Sequence, residues 1–410
     1  MLKLPAEYTI ALEEVLGRSL SKHALEDRNG RAFIRTIANS VTRISHGLTK
    51  DRQDFVRSKY LNDTAMQEGY LVYYTTTNLL KIWPPLRELA VSGFFSGREH
   101  ITHLDLGSGT GSALWGLATY LKQEQPGVHT LSSLATDLLS SNLDGVQSFH
   151  ARFQKQIPPI AFELQTAQMN LSALSLLNGK SYDLITLMNV LNEVSEEHDE
   201  RTIERLLSLL AERGAIIMIE PSTREQSRRA LRFRDRMVQA GFHVYAPCCR
   251  TGGCPALAKE SDWCHMEIPW ERPAFIEAID DLAGILRLSL KATYAVFLSD
   301  DTNLTDFLIT QDTGNAGHHF LNAGRIVSER FDEKGRVRMF ICNERGRKEY
   351  VMNKRDRTSH NKAAMEARRY DLVHIEDVEI RQHDIKIGME SIINILSNAE
   401  GVEIVDNYGK

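Results

Sequence analysis

Short apolar runs alternate with helix-type stretches through the middle of the chain. The runs lie at residues 101–106, 130–136, 159–164, 183–188 and 214–220. Apolar strands that alternate with helices are typical of a parallel sheet whose two faces are covered. We therefore predict an α/β domain over residues 96–245.

The flanking regions have other patterns. Apolar residues recur at helical spacing over residues 1–95, which predicts an N-terminal helical module. Its aromatic residues are predicted to pack the module onto the α/β domain: Tyr70, Tyr73, Tyr74 and Trp83. Glycine, proline, cysteine and tryptophan dominate residues 246–272, and we predict a separate cysteine-rich segment over residues 246–283. Residues 284–410 contain strand-type runs, the first at Leu288–Leu298, and predict a small, basic, β-rich C-terminal domain.

A glycine-rich loop follows the first predicted strand. The strand ends near Asp105, and the loop Gly-Ser-Gly-Thr-Gly at residues 107–111 leads into a predicted helix. Glycine permits both the tight turn and the close approach of a ligand to the backbone. In class I methyltransferases a loop of this kind holds the methionine end of S-adenosylmethionine (SAM). The predicted cofactor contacts are Asp105, Gly107, Ser108, Gly109 and Gly111.

A dinucleotide is the alternative ligand for this loop. The dinucleotide fingerprint is G-x-G-x-x-G, with the pyrophosphate at the helix N-terminus. Here the third glycine comes one residue early, and Ala113 and Leu114 follow. An aspartate before the loop is also usual in methyltransferases. The pattern favours SAM, and a vestigial pocket that binds nothing is a third interpretation.

Polar residues follow the next three predicted strands. Asp137 ends the second strand, and its carboxylate can accept both hydroxyls of a ribose, although a helix N-cap is the alternative. Asn170 follows the third strand, where it is placed to reach an adenine. Asn189 follows the fourth strand, the one that faces the transferable methyl group in class I methyltransferases. We predict all three as further cofactor contacts.

The acceptor of a methyl group is not indicated by any motif. The fourth strand end lacks the Asn/Asp-Pro-Pro-aromatic motif that positions a flipped base in amino-group methyltransferases. No cysteine lies at the fourth or fifth strand end, so a covalent cytosine mechanism lacks its nucleophile. The catalytic residues are therefore left unassigned.

The predicted helix after the fifth strand is rich in arginine. Only Glu225 and Asp235 oppose its arginines, which are Arg224, Arg228, Arg229, Arg232, Arg234 and Arg236. A surface that faces phosphates is one interpretation. A solvated helix face is the other.

Four of the five cysteines lie between residues 248 and 264. In a cytoplasmic chain such clustering indicates metal binding or redox chemistry before disulfides. Thiolates select zinc or iron–sulfur clusters. Zinc sites usually contain Cys-x2-Cys pairs, which are absent, and the wider Cys248-x5-Cys254 spacing favours a cluster. Zinc and free thiols stay open as alternatives; Cys342 is the candidate fourth ligand and Cys249 the odd cysteine.

Net charge and the lengths of the apolar runs limit which partners and which cellular location we expect for the protein. The net charge is −5, so any contact with nucleic acid has to come from local basic patches. No apolar run approaches the roughly 20 residues of a membrane helix. The pattern of a signal or transit peptide is absent from the N-terminus, where Glu7, Glu13 and Glu14 lie. We therefore expect a cytoplasmic protein that does not enter a membrane.

Several of these features occur together in one known family. They are the intact glycine loop, Glu-Pro-Ser-Thr at residues 220–223, Pro-Cys-x5-Cys-Pro-x-Leu from Pro247, Trp-Cys-His at residues 263–265, and the late Cys342. Over about residues 60–370 the chain resembles the methyltransferase-like family of mitochondrial small-ribosomal-subunit assembly factors, which has bacterial and archaeal relatives.

The resemblance implies a fold, two cofactors and a partner. The fold is a class I SAM-dependent methyltransferase (Rossmann-like) core, and the partner is small-subunit ribosomal RNA during assembly. The second cofactor is a four-iron four-sulfur (4Fe-4S) cluster, whose ligands by position are Cys248, Cys254, Cys264 and Cys342. Ser222 departs from the glycine usual in the family, and Cys249 stands where cysteine is uncommon.

A basic stretch in the C-terminal region agrees with an RNA partner, although a solvated face is the alternative. Residues 347–369 hold eight basic residues against three acidic ones. The basic residues are Arg347, Lys348, Lys354, Arg355, Arg357, Lys362, Arg368 and Arg369. Two hypotheses follow: a SAM-dependent methyltransferase of small-subunit ribosomal RNA, and a non-catalytic RNA-binding assembly factor that retains the fold.

Overall fold

A computed structural model describes residues 1–50, 55, 63–313 and 322–398. Within these residues the α-helices are α1 (Ala6–Leu16), α2 (Lys22–Glu26), α3 (Arg28–Lys50), α4 (Thr64–Gly69), α5 (Thr76–Leu79), α6 (Trp83–Val91), α7 (Ser112–Glu124), α8 (Ser140–Phe153), α9 (Asp199–Leu209), α10 (Arg224–Gln239), α11 (Ala274–Ala283) and α12 (Leu304–Thr313). A π-helix, Tyr70–Thr75, joins α4 to α5.

The strands form two sheets. The first sheet contains β1 (Leu2–Lys3), β2 (His100–Leu106), β3 (Thr130–Asp137), β4 (Ala161–Gln168), β5 (Tyr182–Met188), β6 (Leu210–Pro221), β7 (His243–Ala246), β8 (Met266–Glu271) and β9 (Ser289–Leu298). The second contains β10 (Ala323–Ile326), β11 (Phe331–Asp332), β12 (Arg336–Asn343), β13 (Gly346–Asn353), β14 (Leu372–Glu376), β15 (Glu379–Ile380), β16 (Ile385–Ile387) and β17 (Ile392–Ser397).

The first sheet has the Rossmann-like core that the sequence predicted. Its strands run in the order β1-β8-β9-β6-β5-β2-β3-β4, and β2 to β6 are mutually parallel. Alternate residues face two apolar cores, with Ile101 and Leu131 on one side and Leu104 and Leu134 on the other. The predicted helix-covered sheet of parallel strands is thus present, extended by antiparallel strands beyond β6.

Strand β9 belongs to the first sheet, not to the C-terminal region in which the sequence placed Leu288–Leu298. It pairs antiparallel with β6, where Val296 lies opposite Ile217. Its residues from Ala292 onward are all buried, as in a strand covered on both faces. A boundary at residue 284 therefore cuts through this sheet, because sequence alone does not reveal which sheet a buried strand joins.

The second sheet has its own small core. Along β12, Val337, Met339 and Ile341 point inward at alternate positions. The strands run in the order β15-β16-β13-β12-β10-β14-β17, and β11 pairs with β12. This sheet carries Cys342, whose backbone lies opposite Arg325 of β10 and Arg347 of β13.

The N-terminal helices share one apolar core with the first sheet. The ring of Tyr8 lies 5.4 Å from that of Phe149, and Trp83 Nε1 donates to the Gly116 carbonyl at 3.2 Å. The helical module therefore packs directly onto the α/β domain. Among the described residues, no helix combines the length and apolar character that crossing a membrane requires.

Candidate functional site

A cavity of about 450 Å³ opens at the carboxyl ends of β2 to β5. Ligands of open α/β sheets bind at this edge, and the volume lies in the range of small-molecule sites. The loops after these strands bring together seven of the predicted cofactor contacts: Asp105, Gly107, Ser108, Gly109, Asp137, Asn170 and Asn189. We call this space the strand-end cavity. Gly111, the eighth predicted contact, does not line it.

The three glycines of the loop all have left-handed backbone conformations, but their structural roles differ. Their φ angles are +67° at Gly107, +52° at Gly109 and +86° at Gly111. A Cβ at Gly107 or Gly111 would lie within 2.6 Å of Val190 or Trp115, whereas a Cβ at Gly109 meets no atom within 4 Å. Gly107 and Gly111 thus permit close packing. Gly109 leaves space on the side of the cavity.

Ser108 fixes the loop against the neighbouring strand. Its backbone N–H donates to the Thr136 carbonyl at 2.8 Å, and its hydroxyl accepts from the Thr136 N–H at 3.1 Å. The Gly111 N–H donates to the Ser108 carbonyl at 2.7 Å, which closes the turn into α7. The positive end of the α7 dipole therefore begins beside the cavity.

Asp137 holds the loop and the chain that follows β3. One carboxylate oxygen accepts from the Gly109 N–H at 2.8 Å, and the other accepts from the Leu139 N–H at 2.8 Å and from Asn142 Nδ2 at 3.0 Å. The sequence did not indicate Asn142, because a residue on a helix carries no strand-end signal. Each carboxylate oxygen can accept more than one hydrogen bond, so these contacts are compatible with a ligand.

Asp105 is the buried carboxyl group of the site. Its Oδ1 accepts from the Thr186 hydroxyl at 2.6 Å, and its Oδ2 has no hydrogen-bond partner among the described residues. Burial raises the pKa of Asp105 to about 6; hydrogen bonds from the Thr186 and Ser108 side chains oppose this shift, and the Asp137 carboxylate adds to it. A buried acceptor without a donor is costly, so Oδ2 is suited to a donor from a ligand.

Asn189 and its neighbours are held by a carboxylate of the adjacent strand. Asn189 has a φ of +62°, and its N–H donates to the Ile219 carbonyl at 2.8 Å. The fully buried Glu220 accepts from the N–H groups of Val190 and Leu191 at 2.9 and 2.8 Å. Asn192 Nδ2 also donates to Glu220. The Glu-Pro-x-Thr motif contained the signal for this contact, but the role of its glutamate was missed.

The N-terminal module contributes to the same cavity. Tyr70, at the start of the π-helix, lines it, although the sequence indicated core packing for this residue. Thr75, at the end of the π-helix, shares a hydrogen bond with Thr110 of the glycine loop. π-Helical turns occur frequently at functional sites. The strand-end cavity is therefore closed by residues from two regions of the chain.

A second cavity is lined by all five cysteines, and we call it the cysteine cavity. It brings the four predicted ligands together from three segments: Cys248, Cys254, Cys264 and Cys342. Burial raises the pKa of Cys254 to about 12 and that of Cys264 to about 11, and the neighbouring thiols raise both further. Among the described residues, no three His, Cys, Asp or Glu side chains are arranged as ligands of one metal ion.

Two arginines of α10 hold the cysteine-rich segment, a role that neither sequence interpretation of this helix included. Arg228 donates to the carbonyls of Ala256 and Asp262 at 3.0 and 2.8 Å. Arg234 donates to the Gly252 carbonyl at 2.6 Å. Three others pair with the carboxylates of Glu196 or Asp199, namely Arg229, Arg232 and Arg236. These guanidinium groups satisfy backbone and carboxylate acceptors within the protein.

The basic residues between 347 and 369 also fall into a group that is paired within the protein and a group that is exposed. Arg347 pairs with Asp262 at 2.9 Å and Arg369 with Glu267 at 3.2 Å, so both tie the second sheet to the cysteine-rich segment or to β8. Lys354 pairs with Asp332. The exposed members are Lys348, Arg355, Arg357, Lys362 and Arg368. Arg355 also lies 3.8 Å from Asp356, and the exposed group as a whole offers cations to a partner.

Comparisons with known proteins give a family and distant structural likenesses. The model of the family described as mitochondrial small ribosomal subunit Rsm22 matches residues 95–373. Among curated proteins, none matches the chain. A TehB-like SAM-dependent methyltransferase from Corynebacterium glutamicum is 17% identical; the match covers 52% of this chain and 86% of that chain, with a TM-score of 0.29.

Two other solved structures have similar scores. An O-methyltransferase family protein from Burkholderia thailandensis is 14% identical, with 60% of this chain and 63% of that chain covered and a TM-score of 0.32. The plantazolicin methyltransferase BamL, solved in complex with a triazolic desmethylPZN analogue and SAH, is 11% identical, with 66% of this chain and 99% of that chain covered and a TM-score of 0.34. The family match covers most of the chain, whereas these likenesses are remote.

Proposed function

The chain belongs to the Rsm22 family, and from this premise we propose that it is a SAM-dependent, methyltransferase-like protein that acts on small-subunit ribosomal RNA. The observation that carries the cofactor assignment is the strand-end cavity, with its glycine loop and the unpartnered Oδ2 of buried Asp105. The family name supports the link to the small ribosomal subunit.

The residues of the strand-end cavity fit the parts of SAM. Asp105 Oδ2 is an acceptor for the ammonium group of the methionine end, and the space beside Gly109 admits that end close to the backbone. Asp137 has the acceptors that the ribose hydroxyls require. Leu138 and Met169 offer apolar surface to the adenine, beside the amide of Asn170.

These residues bind and orient, and the cofactor would supply the reactive group. The sulfonium of SAM makes its methyl group open to attack by a nucleophile. The Glu220 carboxylate fixes the backbone after β5, so Asn189 is held in its left-handed conformation at the cavity wall. Tyr70 of the N-terminal module forms part of the cavity wall.

The second proposed cofactor is a 4Fe-4S cluster held by Cys248, Cys254, Cys264 and Cys342. The residues fit such a group because four thiols from distant segments line one cavity, and thiolates are the usual cluster ligands. Cys249 is buried, and its thiol lies 3.9 Å from the Pro247 carbonyl. The cluster would join the cysteine-rich segment to the second sheet.

Anaerobic purification tests the metal assignment. We expect iron and acid-labile sulfide in near-stoichiometric amounts, with a broad visible absorption band. Zinc without iron would assign the cysteines to a zinc site instead, and protein without metal would leave them as free thiols.

The proposed RNA partner rests on the family and on the exposed cations of the second sheet region. Lys348, Arg355, Arg357, Lys362 and Arg368 are exposed, and cations of this kind neutralise phosphates. We expect binding to small-subunit RNA to weaken steeply as salt increases. The cytoplasmic location expected from the sequence stays a prediction.

Calorimetry with a matched pair of variants tests the cofactor assignment. In Gly109→Asn the new residue tolerates the left-handed backbone of this position, and its side chain is placed toward the cavity. We expect it to lower the affinity for SAM at least about tenfold by steric exclusion. Gly17→Asn is the control, because Gly17 is also left-handed with open space but ends α1 on the surface. Equal affinities of the two variants would contradict the assignment.

A non-catalytic assembly factor is the second candidate function. The loop after β5 favours it, because the side chain of Asn192 is engaged by Glu220 and the strand end has no acceptor-positioning motif. Cosedimentation of Gly109→Asn with small-subunit precursors separates the two. Full association and full function of this variant in assembly would favour the scaffold, whereas loss of a methyl group from the RNA would favour the enzyme.

A further inference from the structure

Three polar side chains are buried in the middle of the first sheet. His103 has no exposed surface, Thr186 is 1% exposed and Ser133 is 4% exposed. Strands covered on both faces are normally apolar, and a buried polar group is costly unless it is hydrogen-bonded. The three residues therefore require an explanation, and the cofactor contacts described above do not provide one.

The three side chains form one hydrogen-bonded row across β3, β2 and β5. His103 Nδ1 lies 3.0 Å from Ser133 Oγ, and His103 Nε2 lies 2.8 Å from Thr186 Oγ1. Thr186 Oγ1 then donates to Asp105 Oδ1 at 2.6 Å. Strand register places Ser133 opposite His103 and Thr186 opposite Asp105. The row ends at the wall of the strand-end cavity.

The row has a defined direction. Since the Thr186 hydroxyl gives its single proton to Asp105, it accepts from His103, and Nε2 carries the imidazole proton. Burial lowers the pKa of His103 to about 3, so the ring is neutral and Nδ1 accepts from the Ser133 hydroxyl. Each donor in the row therefore points toward Asp105.

The carboxylate at the end of the row has one free oxygen. Oδ1 is fixed by Thr186, while Oδ2 has no partner among the described residues, and Asp105 lines the cavity. Hydrogen bonds that polarise one another strengthen along such a row. Asp105 thus places at the cavity wall a carboxylate whose second oxygen is buried and has no donor among the described residues, which is costly unless a ligand supplies one.

We propose that Ser133, His103 and Thr186 are positioning residues that hold Asp105 as an oriented anionic acceptor for the ammonium group of the bound ligand. This inference rests on the proposed binding of SAM, and it assigns the recognition of the amino-acid end to a row of residues that do not touch the ligand. An adenosine derivative without the amino-acid chain would not depend on the row.

The same row sets a pH dependence. Burial raises the pKa of Asp105 to about 6, so affinity for an ammonium ligand falls as the pH decreases through this value. The other titratable groups that face Asp105 are Asp137 on β3, the neutral His103 on β2 and Tyr70 from the N-terminal module. Loss of the Thr186 donor removes a contact that favours the carboxylate, and the midpoint moves to higher pH.

Titration calorimetry of Thr186→Val with two ligands tests the proposal. SAM has the ammonium group, and 5′-methylthioadenosine lacks it. We expect the variant to bind SAM about tenfold more weakly, as for loss of one hydrogen bond to a charged group, with the affinity for methylthioadenosine unchanged. Thr119→Val is the matched control, because Thr119 is fully buried and its hydroxyl donates within α7, to the Trp115 carbonyl at 2.7 Å.

A double variant tests whether Thr186 acts on the ligand only through Asp105. Asp105→Asn removes the anion, so Thr186→Val should add little to it if the row acts only through Asp105. Additive losses of SAM affinity, equal losses for both ligands or an unshifted pH midpoint would each overturn the positioning role. Wild-type protein that binds neither ligand would instead overturn the proposed function, and with it this inference.

Discussion

The two cavities of this protein are built in opposite ways. The strand-end cavity is formed by loops that follow successive strands, and its shape comes largely from backbone geometry at Gly107 and Gly109. The cysteine cavity is assembled from segments far apart in the chain, and arginine side chains hold these segments in place. A site of the first kind depends on local conformation, whereas one of the second kind depends on long-range contacts.

The largest expected effect is a loss of iron that distinguishes the proposed cluster ligands from Cys249. Cys342→Ser removes the one proposed cluster ligand in the second sheet, and we expect loss of essentially all iron, with a lower thermal midpoint because metal-binding energy is folding energy. Cys249→Ala is the matched control and should retain the iron. Iron and thermal midpoint are measured on anaerobic protein. Retention of iron by Cys342→Ser would exclude the proposed ligand set.

The next effect tests the long-range support of the cysteine cavity. Arg325 lines this cavity and pairs with Glu88 of α6 at 2.9 Å, and both are almost fully buried. Arg325→Met leaves the Glu88 carboxylate buried without its cation, and we expect the free energy of unfolding to fall by about 3–5 kcal/mol. Denaturant titration measures this. Exposed Arg368→Met should change it by less than about 0.5 kcal/mol, and equal effects would contradict the argument.

The third effect is a gain in the free energy of unfolding, and it comes from a residue of the strand-end cavity. The pKa of Asp105 is raised from 3.8 to about 6, so ionisation at neutral pH costs stability of about 3 kcal/mol. Asp105→Asn should therefore raise the free energy of unfolding at pH 7 while it weakens SAM binding. The gain is present above pH 6 and disappears as the pH falls toward 4. A variant that is destabilised at pH 7 would contradict the stability cost assigned to this buried charge.

The smallest effect distinguishes two glycines of one loop. Gly111→Ala places a Cβ 2.6 Å from the Trp115 ring, and overpacking should cost about 1–3 kcal/mol of unfolding free energy. Gly109→Asn has open space and a tolerated conformation, so its cost should stay below about 1 kcal/mol. For SAM affinity we expect the opposite order, with Gly109→Asn binding more weakly than Gly111→Ala. The comparison would fail if Gly109→Asn were the less stable variant.

The sequence brought most of the predicted strand-end residues to one edge of the sheet because its signals are local. A strand, a glycine loop and an acid at the next strand end are contiguous patterns, and they placed Asp105, Gly109 and Asp137 at one edge of the sheet. Gly111 was predicted as a contact although it serves packing against Trp115. Periodicity does not separate these roles, because both require the same backbone conformation.

Long-range relations were not accessible in the same way. The sequence placed β9 in the C-terminal region, since a buried strand carries no mark of its partner, and β6 is its neighbour. The arginines of α10 had two surface interpretations, because the carbonyls that they hold belong to a loop of irregular structure. The roles of Glu220 and of the row through His103 likewise depend on contacts between strands.

The most direct test of the central claim is titration of the wild-type protein with SAM at pH 7.5. We predict saturable binding of one equivalent, weakened at least about tenfold in Gly109→Asn and unchanged in Gly17→Asn. Absence of binding by well-folded wild-type protein, or equal binding by all three proteins, would contradict it.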